Sequence, residues 1–311
     1  MALKVIFDTD PGIDDAMALL AIVRHSGIAL RGVTTVFGNG AIDTVTHNAL
    51  YLKELFGFDA PVAKGAGKPL VGEADPPPVF VHGDNALGDI AIPEVSATVD
   101  PRSAHQLIID LVRAEPGEIT LIAVGRMTNL ALALQQDPEI ASLVKEVVVM
   151  GGAYGRNGHS GNVTPVAEAN IWGDASAADI VFGASWPLTI VGLDVTEETV
   201  MTAADVDGLA AEGGADGEFV RDVSAHYQKF YNARLGFDGF FVHDWSAVAY
   251  ALQPDLYTVE RGQLGVITAG EAIGQTIIGD TRQGRAEQQI CVAVDGPAVT
   301  QMYRDAVLGR L

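Results

Sequence analysis

Short apolar runs alternate with helical stretches along this chain of 311 residues, and the alternation predicts an α/β fold. Runs such as residues 146–150 (EVVVM) are apolar throughout, as expected of strands that are buried on both faces. Short loops connect the runs to the helical stretches, which is typical of parallel strands with crossover helices. The sequence therefore predicts an open, mostly parallel sheet of the Rossmann-like type flanked by helices, with additional helical and loop segments in the C-terminal half.

The first half of the chain shows the clearest alternation. The predicted strands are residues 4–7, 30–37, 61–63, 119–124, 146–150 and 188–193. The predicted helices are residues 16–25, 43–56, 102–114, 130–136 and 175–182. The first of these helices is apolar on most sides, so we expect it to be well buried. Asp43 and Thr44 mark the start of the second.

The second half is less regular. Helices are predicted over residues 203–211, 217–231, 244–252 and 297–308, and strands over residues 259–269 and 290–294. The glycines of residues 236–239 interrupt the pattern, and residues 65–83 and 151–164 are expected to form mobile loops. Linkers and internal repeats are not evident, so the sequence predicts a single domain over residues 1–311.

Composition excludes several classes of function. The formal charge is −21, from 19 Lys and Arg against 40 Asp and Glu, which argues against a nucleic-acid partner. Membrane spans are not expected, because apolar runs of about 18 residues do not occur. The one cysteine, Cys291, lies in an apolar run and is expected to be a small buried residue. The chain enters a strand without a signal peptide, so a cytoplasmic protein is expected.

The most informative segment is an acidic turn at residues 8–15 (DTDPGIDD), between the first strand and the first helix. Carboxylates this close repel one another and raise one another's pKa. A bound hard cation is the simplest way to make the cluster favourable. Asp14 and Asp15 could instead stabilise a helix N-terminus, but that interpretation does not account for Asp10.

Further polar groups follow other predicted strands. They are Asn39, Val124-Gly125, the set Asn162, Glu168 and Asn170, and His243-Asp244. Ends of parallel strands converge on one edge of a sheet, so we expect these groups to lie together. Each alone has a structural interpretation: Asn39 as a turn residue, His243 in a satisfied pair with its neighbouring acid, His82 as a loop residue, and Tyr227 and Tyr231 as packing residues one helical turn apart.

The ordered set of motifs resembles the nucleoside hydrolase family, of the inosine-uridine preferring type. These enzymes are calcium-dependent and cleave the bond between ribose and a nucleobase. The resemblance covers essentially the whole chain. It is carried by residues 8–16 (DTDPGIDDA), 34–39 (TTVFGN), 82–83 (HG), 128–131 (TNLA), 161–170 (GNVTPVAEAN) and 243–244 (HD).

The resemblance implies a Ca²⁺ site formed by the side chains of Asp10, Asp15 and Asp244 and the backbone carbonyl of Val124. The ribose 2′- and 3′-hydroxyls and a water would complete the oxygen shell. Asp10 would take the proton of that water.

The remaining family positions are expected to hold the substrate. Asp10, His243 and Asn170 are the expected catalytic residues, with His243 donating a proton to the leaving base. Expected substrate contacts are Asp14, Asn39, His82, Asn162, Glu168, Asn170, Tyr227, Tyr231 and Asp244. Tyr227, Tyr231 and Arg234 lie in a segment similar to the family's mobile lid. The implied substrate is a purine or pyrimidine ribonucleoside with an inosine- or uridine-like preference, and the implied assembly is a homodimer or homotetramer.

Four positions depart from the family pattern. Ala169 stands where an aromatic residue is usual, Arg126 where proline is usual, Trp245 where a smaller residue or proline is usual, and Ala86 near an expected glycine. These departures concern the base preference more than the type of reaction, because none falls on an expected metal ligand.

Two other functions stay open at this stage. A haloacid dehalogenase-type phosphatase would use Asp8 as the nucleophile with Mg²⁺, but it leaves the set around Glu168 and the pair His243-Asp244 without a role. A ribose- or nucleoside-binding protein on the same scaffold would keep the metal and lack turnover. Release of phosphate from phosphoesters, or of base from nucleosides, distinguishes these functions.

Overall fold

A mostly parallel β-sheet runs through the centre of the computed structural model, which describes residues 2–311. The strands are β1 (Leu3–Thr9), β2 (Ile28–Thr35), β3 (Val62–Lys64), β4 (Ile119–Ala123), β5 (Glu146–Met150), β6 (Leu188–Val191), β7 (Val200–Thr202), β8 (Gly239–Phe241), β9 (Tyr257–Val266), β10 (Thr276–Ile278) and β11 (Glu287–Val294). Over residues 2–311, nine strands form one sheet in the order β10-β9-β11-β6-β5-β4-β1-β2-β3, and β7 pairs with β8 separately. The strands from β11 to β3 are parallel, and β9 and β10 are antiparallel additions at one edge.

Helices cover both faces of the sheet. They are α1 (Ile13–Arg24), α2 (Ile42–Phe56), α3 (Val79–His82), α4 (Ala104–Ala114), α5 (Thr128–Gln136), α6 (Ala169–Gly173), α7 (Ala175–Gly183), α8 (Leu193–Thr196), α9 (Ala203–Glu212), α10 (Gly214–Leu235), α11 (His243–Leu252) and α12 (Gly296–Val307). In the described part of the chain, no helix combines the length and the apolar character needed to cross a lipid bilayer.

The sheet separates two hydrophobic cores. Val5 and Phe7 of β1 face the core that holds α1, α10, α11 and α12, and Ile6 faces the core that holds α4, α5 and α7. This division follows from the alternation of side chains along a strand. Helix α1 is buried from Ile13 to Ile22, as its apolar pattern predicts. Cys291 is also buried, as expected.

The predicted α/β fold class is confirmed, and most predicted elements lie within a few residues of the observed ones. The strand predicted over residues 188–193 is too long, because the chain turns at Gly192 and enters α8. The short elements α3, α6, β7, β8 and β10 were not predicted. Strand β7 pairs with β8 through Val200 and Phe241, a partnership between distant segments that local patterns do not report.

The sheet order places the functional groups. Strand β1 lies between β2 and β4, so the chain segments that leave β1 and β4 open a crevice at the carboxyl ends of these strands. In this register, Asp8 of β1 stands beside Thr34 of β2 and Ala123 of β4. The segments that follow β1, β2, β4, β5 and β6 therefore share one edge.

Candidate active site

Three carboxylates from opposite ends of the chain meet at this edge. Asp14 and Asp15 lie in the first turn of α1, and Asp244 lies in the first turn of α11. Helix α1 packs against α11, and one oxygen from each of the three side chains lies within 4.8 Å of the others. All three residues are buried. The packing of these two helices therefore creates the acidic cluster, which we define as Asp14, Asp15 and Asp244.

The environment of the acidic cluster opposes negative charge. Burial raises the pKa of Asp14 and of Asp244, and the neighbouring carboxylates raise it further. Burial also raises the pKa of Asp15, although hydrogen bonds from Thr9 and from the backbone of Gly12 act in the opposite direction. Full ionisation of the cluster therefore requires positive charge close by.

Asp15 is the most strongly held member of the acidic cluster. Its Oδ1 accepts hydrogen bonds from Thr9 Oγ1 (2.5 Å) and from the backbone N–H of Asp10 (3.1 Å). Its Oδ2 accepts from the Gly12 N–H (3.0 Å) and from Asn39 Nδ2 (2.9 Å). Asn39 is thus connected to the cluster, as its position after β2 predicts.

Asp10 lies beside the acidic cluster and is 1% exposed. Its Oδ2 accepts from the backbone N–H of Asn39 (2.8 Å) and from Arg126 Nη1 (2.7 Å). Its Oδ1 is buried and has no hydrogen-bond partner within residues 2–311. Burial and the charge of Asp15 raise the pKa of Asp10, and the charge of Arg126 lowers it.

These groups fit a hard divalent cation. The available donors are carboxylate oxygens, and those of Asp14, Asp15 and Asp244 converge. The neighbouring carboxylate of Asp10 offers a further oxygen, its unpartnered Oδ1. The acidic cluster contains Asp14, whereas the resemblance implied Asp10 as the third side-chain ligand. The Val124 carbonyl, the fourth implied ligand, accepts a hydrogen bond from Asn170 Nδ2 (2.7 Å). The assignment of Asp10 and Val124 as ligands stays a prediction.

A cavity of about 330 Å³ opens above the acidic cluster. Most of the predicted site residues line it: Asp14, Asn39, His82, Val124, Asn162, Glu168, Asn170, Tyr227, Tyr231, His243 and Asp244. Asp10 and Asp15 are buried and do not line the cavity. The sheet edge and the helix packing thus bring residues 10–15, 162–170 and 243–244 to one place.

One side of the cavity is formed by the start of α6. Glu168 accepts hydrogen bonds from the backbone N–H groups of Gly152 (2.9 Å), Asn170 (2.9 Å) and Ile171 (3.1 Å). Burial raises the pKa of Glu168, and these hydrogen bonds oppose the rise. Asn162 is exposed at the rim, where its Oδ1 accepts from the Ala169 N–H (3.0 Å). This side offers rigid polar groups that suit sugar hydroxyls.

Another part of the cavity lining is aromatic and contains His243. Its Nδ1 lies 2.8 Å from Thr196 Oγ1, and its Nε2 lies 2.9 Å from Tyr231 Oη. Burial lowers the pKa of His243 to about 4, so the ring is neutral at pH 7. Tyr227 stacks edge-on with Tyr231 and donates a hydrogen bond to Asp14 Oδ2 (3.4 Å). The tyrosines therefore join His243 to the acidic cluster.

His82 closes the cavity from α3. Its Nδ1 accepts a hydrogen bond from the backbone N–H of Ile13 (3.3 Å), and its ring lies 5.6 Å from that of Tyr227. Burial and the charge of Arg126 lower the pKa of His82 to about 3, which leaves the imidazole neutral at pH 7.

The family departures fall in different places. Ala169 and Arg126 line the cavity. Trp245 belongs to the core, where it is 1% exposed and donates from Nε1 to the Val299 carbonyl (3.0 Å). Ala86 has a φ of 65°, the left-handed region that favours glycine. Trp245 and Ala86 thus concern folding, and Ala169 and Arg126 concern the site.

Two ionisable residues that line the cavity, Glu197 and His159, were missed by the sequence reasoning. Glu197 lines the cavity after α8, and its Oε2 lies 2.6 Å from His159 Nδ1. His159 also contacts Glu198 through Nε2 (2.6 Å). An acid after a strand was the signal used elsewhere, but the overlong strand predicted over residues 188–193 concealed the turn that presents Glu197.

The structure argues against the phosphatase alternative. Asp8 is completely buried, and its Oδ2 accepts hydrogen bonds from Thr34 Oγ1 (2.5 Å) and Asn129 Nδ2 (2.8 Å). A nucleophile must reach its substrate, and Asp8 is not among the residues that line the cavity. Its role is to tie β1 to β2 and α5.

Comparison with known proteins is consistent with this geometry. Residues 5–301 match the model of a family described as inosine-uridine preferring nucleoside hydrolase. The chain is 40% identical to uridine nucleosidase 1 of Arabidopsis thaliana over 276 residues, which cover 88% of this chain and 81% of that protein. It is 38% identical to the inosine-uridine preferring nucleoside hydrolase of Crithidia fasciculata, over 99% and 98% of the two chains. A solved plant nucleoside hydrolase is similar with a TM-score of 0.94 and 33% identity, over 99% of both chains.

Proposed function

The chain belongs to the inosine-uridine preferring nucleoside hydrolase family, and we propose that this nucleoside hydrolase uses a bound Ca²⁺ to cleave the N-glycosidic bond of ribonucleosides. The products would be ribose and the free nucleobase. One observation carries the proposal: Asp14, Asp15 and Asp244 are buried together at the base of a cavity large enough for a small ligand.

Calcium is the proposed ion because the converging donors are oxygens of carboxylates. Such hard donors suit Ca²⁺, which accepts six to eight oxygen ligands in flexible geometry. The chemistry that a bound Ca²⁺ supplies is electrostatic, since it attracts the ribose diol and lowers the pKa of a water molecule. Asp14, Asp15 and Asp244 would hold the ion, with Asp10 and the Val124 carbonyl as the further ligands that the family resemblance implies.

Asp10 is the proposed base that accepts a proton from the attacking water. Its Oδ2 is fixed by the Asn39 N–H and by Arg126, and its buried Oδ1 has no partner among the described residues. A carboxylate held by one oxygen presents the other in a defined direction. This arrangement supports proton transfer to Oδ1.

The sugar develops positive charge as the bond to the base breaks. The carboxylates of Asp14 and Glu168 lie on the cavity wall, and their negative charge would stabilise that state. Asn39, Asn162 and Asn170 would hold sugar hydroxyls. Because backbone hydrogen bonds fix Glu168, its position does not have to change during the reaction.

His243 is the proposed donor of a proton to the leaving base, directly or through a water. Burial lowers the pKa of His243 to about 4, so donation would require the imidazolium, which the negative charge that develops on the leaving base would favour. Both ring nitrogens lie in a hydrogen-bonded path between Thr196 and Tyr231, which supports replacement of the proton. Tyr227, Tyr231 and His82 would surround the base.

An inosine- or uridine-like base preference is the finer part of the proposal. Relatives are named for uridine or for inosine and uridine. The family resemblance implies that His243 is the residue of the inosine-uridine preferring branch. The small side chain of Ala169 leaves space where the family usually has an aromatic residue. The proposed assembly is a homodimer or homotetramer, which light scattering would test.

A substrate panel tests the proposal. Inosine, uridine, cytidine and adenosine are compared with their 2′-deoxy forms, with calcium and with a chelator, and released base is measured. We expect ribosides to react much faster than deoxyribosides, because the two hydroxyls of the ribose diol would be oxygen ligands for the proposed Ca²⁺. The advantage should disappear with the chelator.

Two results would contradict it. Turnover that the chelator does not change would show that the reaction does not require a metal ion. Intact nucleoside bound with calcium, and no released base, would identify the chain as a binding protein on this scaffold.

A further inference from the structure

Arg126 places a positive charge inside an otherwise acidic site. It follows β4, lines the cavity, and has a side chain only 11% exposed. Its Nη1 lies 2.7 Å from Asp10 Oδ2, and its guanidinium stacks over the Phe37 ring at 5.6 Å. A guanidinium in this position is notable, because the reaction proposed for the site develops positive charge on the sugar.

The surrounding backbone provides the space for this side chain. A Cβ atom added to Gly38 would overlap both Arg126 Nη1 and Asp10 Oδ2, and a Cβ added to Gly173 would overlap Arg126 Nε. These glycines come from the segments after β2 and at the end of α6. Three separate parts of the chain thus combine to accommodate one buried ion pair.

The pair lies next to other negative groups. Asp10 interacts electrostatically with Asp14, Asp15 and Asp244, and Arg126 also acts on Glu168. Five buried carboxylates therefore share this region with the Arg126 guanidinium. A buried charge is tolerated when an opposite charge is paired with it.

We propose that Arg126 is a built-in counter-cation of the acidic site. It holds the carboxylates together before a divalent ion binds, and its charge weakens the binding of that ion. This inference rests on the proposed calcium site. The family resemblance does not imply the effect of Arg126 on calcium affinity, because the family usually has proline at this position. Arg126 acts through Asp10 and is a positioning residue.

The test measures calcium affinity and thermal stability rather than turnover. Arg126→Met removes the charge and keeps a side chain of similar length. Titration calorimetry of the chelator-treated protein with CaCl₂ should give binding about tenfold tighter than wild type, because one repelling charge is gone. With the chelator present, the melting temperature should fall by about 5 °C. In saturating calcium the fall should be smaller, since tighter binding offsets it.

Two variants separate charge from packing. Arg126→Lys keeps the charge and should lie closer to wild type than Arg126→Met in both measurements. Arg285→Met is the matched control: Arg285 is 10% exposed and pairs with Asp179 at 2.7 Å, away from the cavity. It should lower the melting temperature equally with and without calcium and leave calcium affinity unchanged.

A double variant keeps the inference testable if Arg126→Met does not fold. Asp10→Asn with Arg126→Met removes both charges of the pair, and with chelator its melting temperature should exceed that of Arg126→Met. Unchanged or weaker calcium binding by Arg126→Met would overturn the inference. So would Arg126→Lys matching Arg126→Met, or a double variant no more stable than the single one. Wild-type protein that binds no calcium would instead refute the proposed metal, and the inference with it.

Discussion

The stability of this protein should fall between about pH 5 and about pH 7 because Asp8 is buried as a carboxyl group. Burial raises its pKa from 3.8 to about 7, although the hydrogen bonds from Thr34 and Asn129 oppose the rise. Its Oδ1 has no partner within residues 2–311. The folded protein therefore keeps a proton on Asp8 at pH values where the unfolded chain has lost it.

The sign and size follow from proton linkage. A carboxyl group whose folded pKa is raised contributes stability that is full below the unfolded pKa of 3.8. That contribution is lost as the pH rises towards the folded pKa of about 7, and it is constant above it. Between about pH 5 and about pH 7 the loss is about 2 kcal/mol for this group. In a chain of 311 residues that corresponds to a fall of about 3 °C in melting temperature.

Urea unfolding at several pH values, in saturating calcium, measures this loss. Asp8→Asn has no carboxyl group that titrates at this position. Between about pH 5 and about pH 7, the decrease in its free energy of unfolding should therefore be smaller than that of wild type by about 2 kcal/mol. Asp100→Asn is the control, because Arg102 lowers the pKa of Asp100 to about 2 and this group does not titrate above pH 5. The same pH dependence in wild type and Asp8→Asn would refute the reasoning.

Three substitutions test the site and its support. Asp10→Ala should reduce turnover at least about a thousandfold with unchanged circular dichroism, and near-normal activity would remove Asp10 as the base. His243→Ala should slow inosine about a hundredfold and nitrophenyl riboside far less, because an activated leaving group needs no proton; equal losses would exclude His243 as the acid. Trp245→Ala should lower the free energy of unfolding by about 4 kcal/mol in urea, and Trp245→Phe by about 1 kcal/mol. A large loss of activity in folded Trp245→Phe would contradict its placement in the core.

Local patterns were sufficient for the architecture. Continuous apolar runs such as β4 and β5 indicate strands buried on both faces, and alternation with helices indicates parallel pairing. Strands β7 and β8 were missed because they pair with each other and lie far apart in the chain. Glu197 was missed for a related reason: the turn that exposes it begins one residue after a strand whose end no local pattern marks.

The candidate site was predicted as a set of residues rather than as a geometry. The acidic turn indicated a bound cation, since clustered acids need positive charge, and the family resemblance implied Asp244 as a further ligand. The packing of α1 against α11 then placed Asp14 beside Asp15 and Asp244. Whether Asp10 or Asp14 belongs to the acidic cluster depends on the directions of their side chains, which sequence spacing does not specify.

By itself, the sequence determined the fold class, the acidic character of the site and the family. Only the tertiary structure decided that Trp245 supports the core and that Arg126 pairs with Asp10. The reason is physical: periodicity reports which face of one element is buried, whereas an ion pair depends on which strands are neighbours. Arg126 contacts Asp10 because β4 lies next to β1 in the sheet and because Gly38 and Gly173, which lack a Cβ, leave space for the Arg126 side chain.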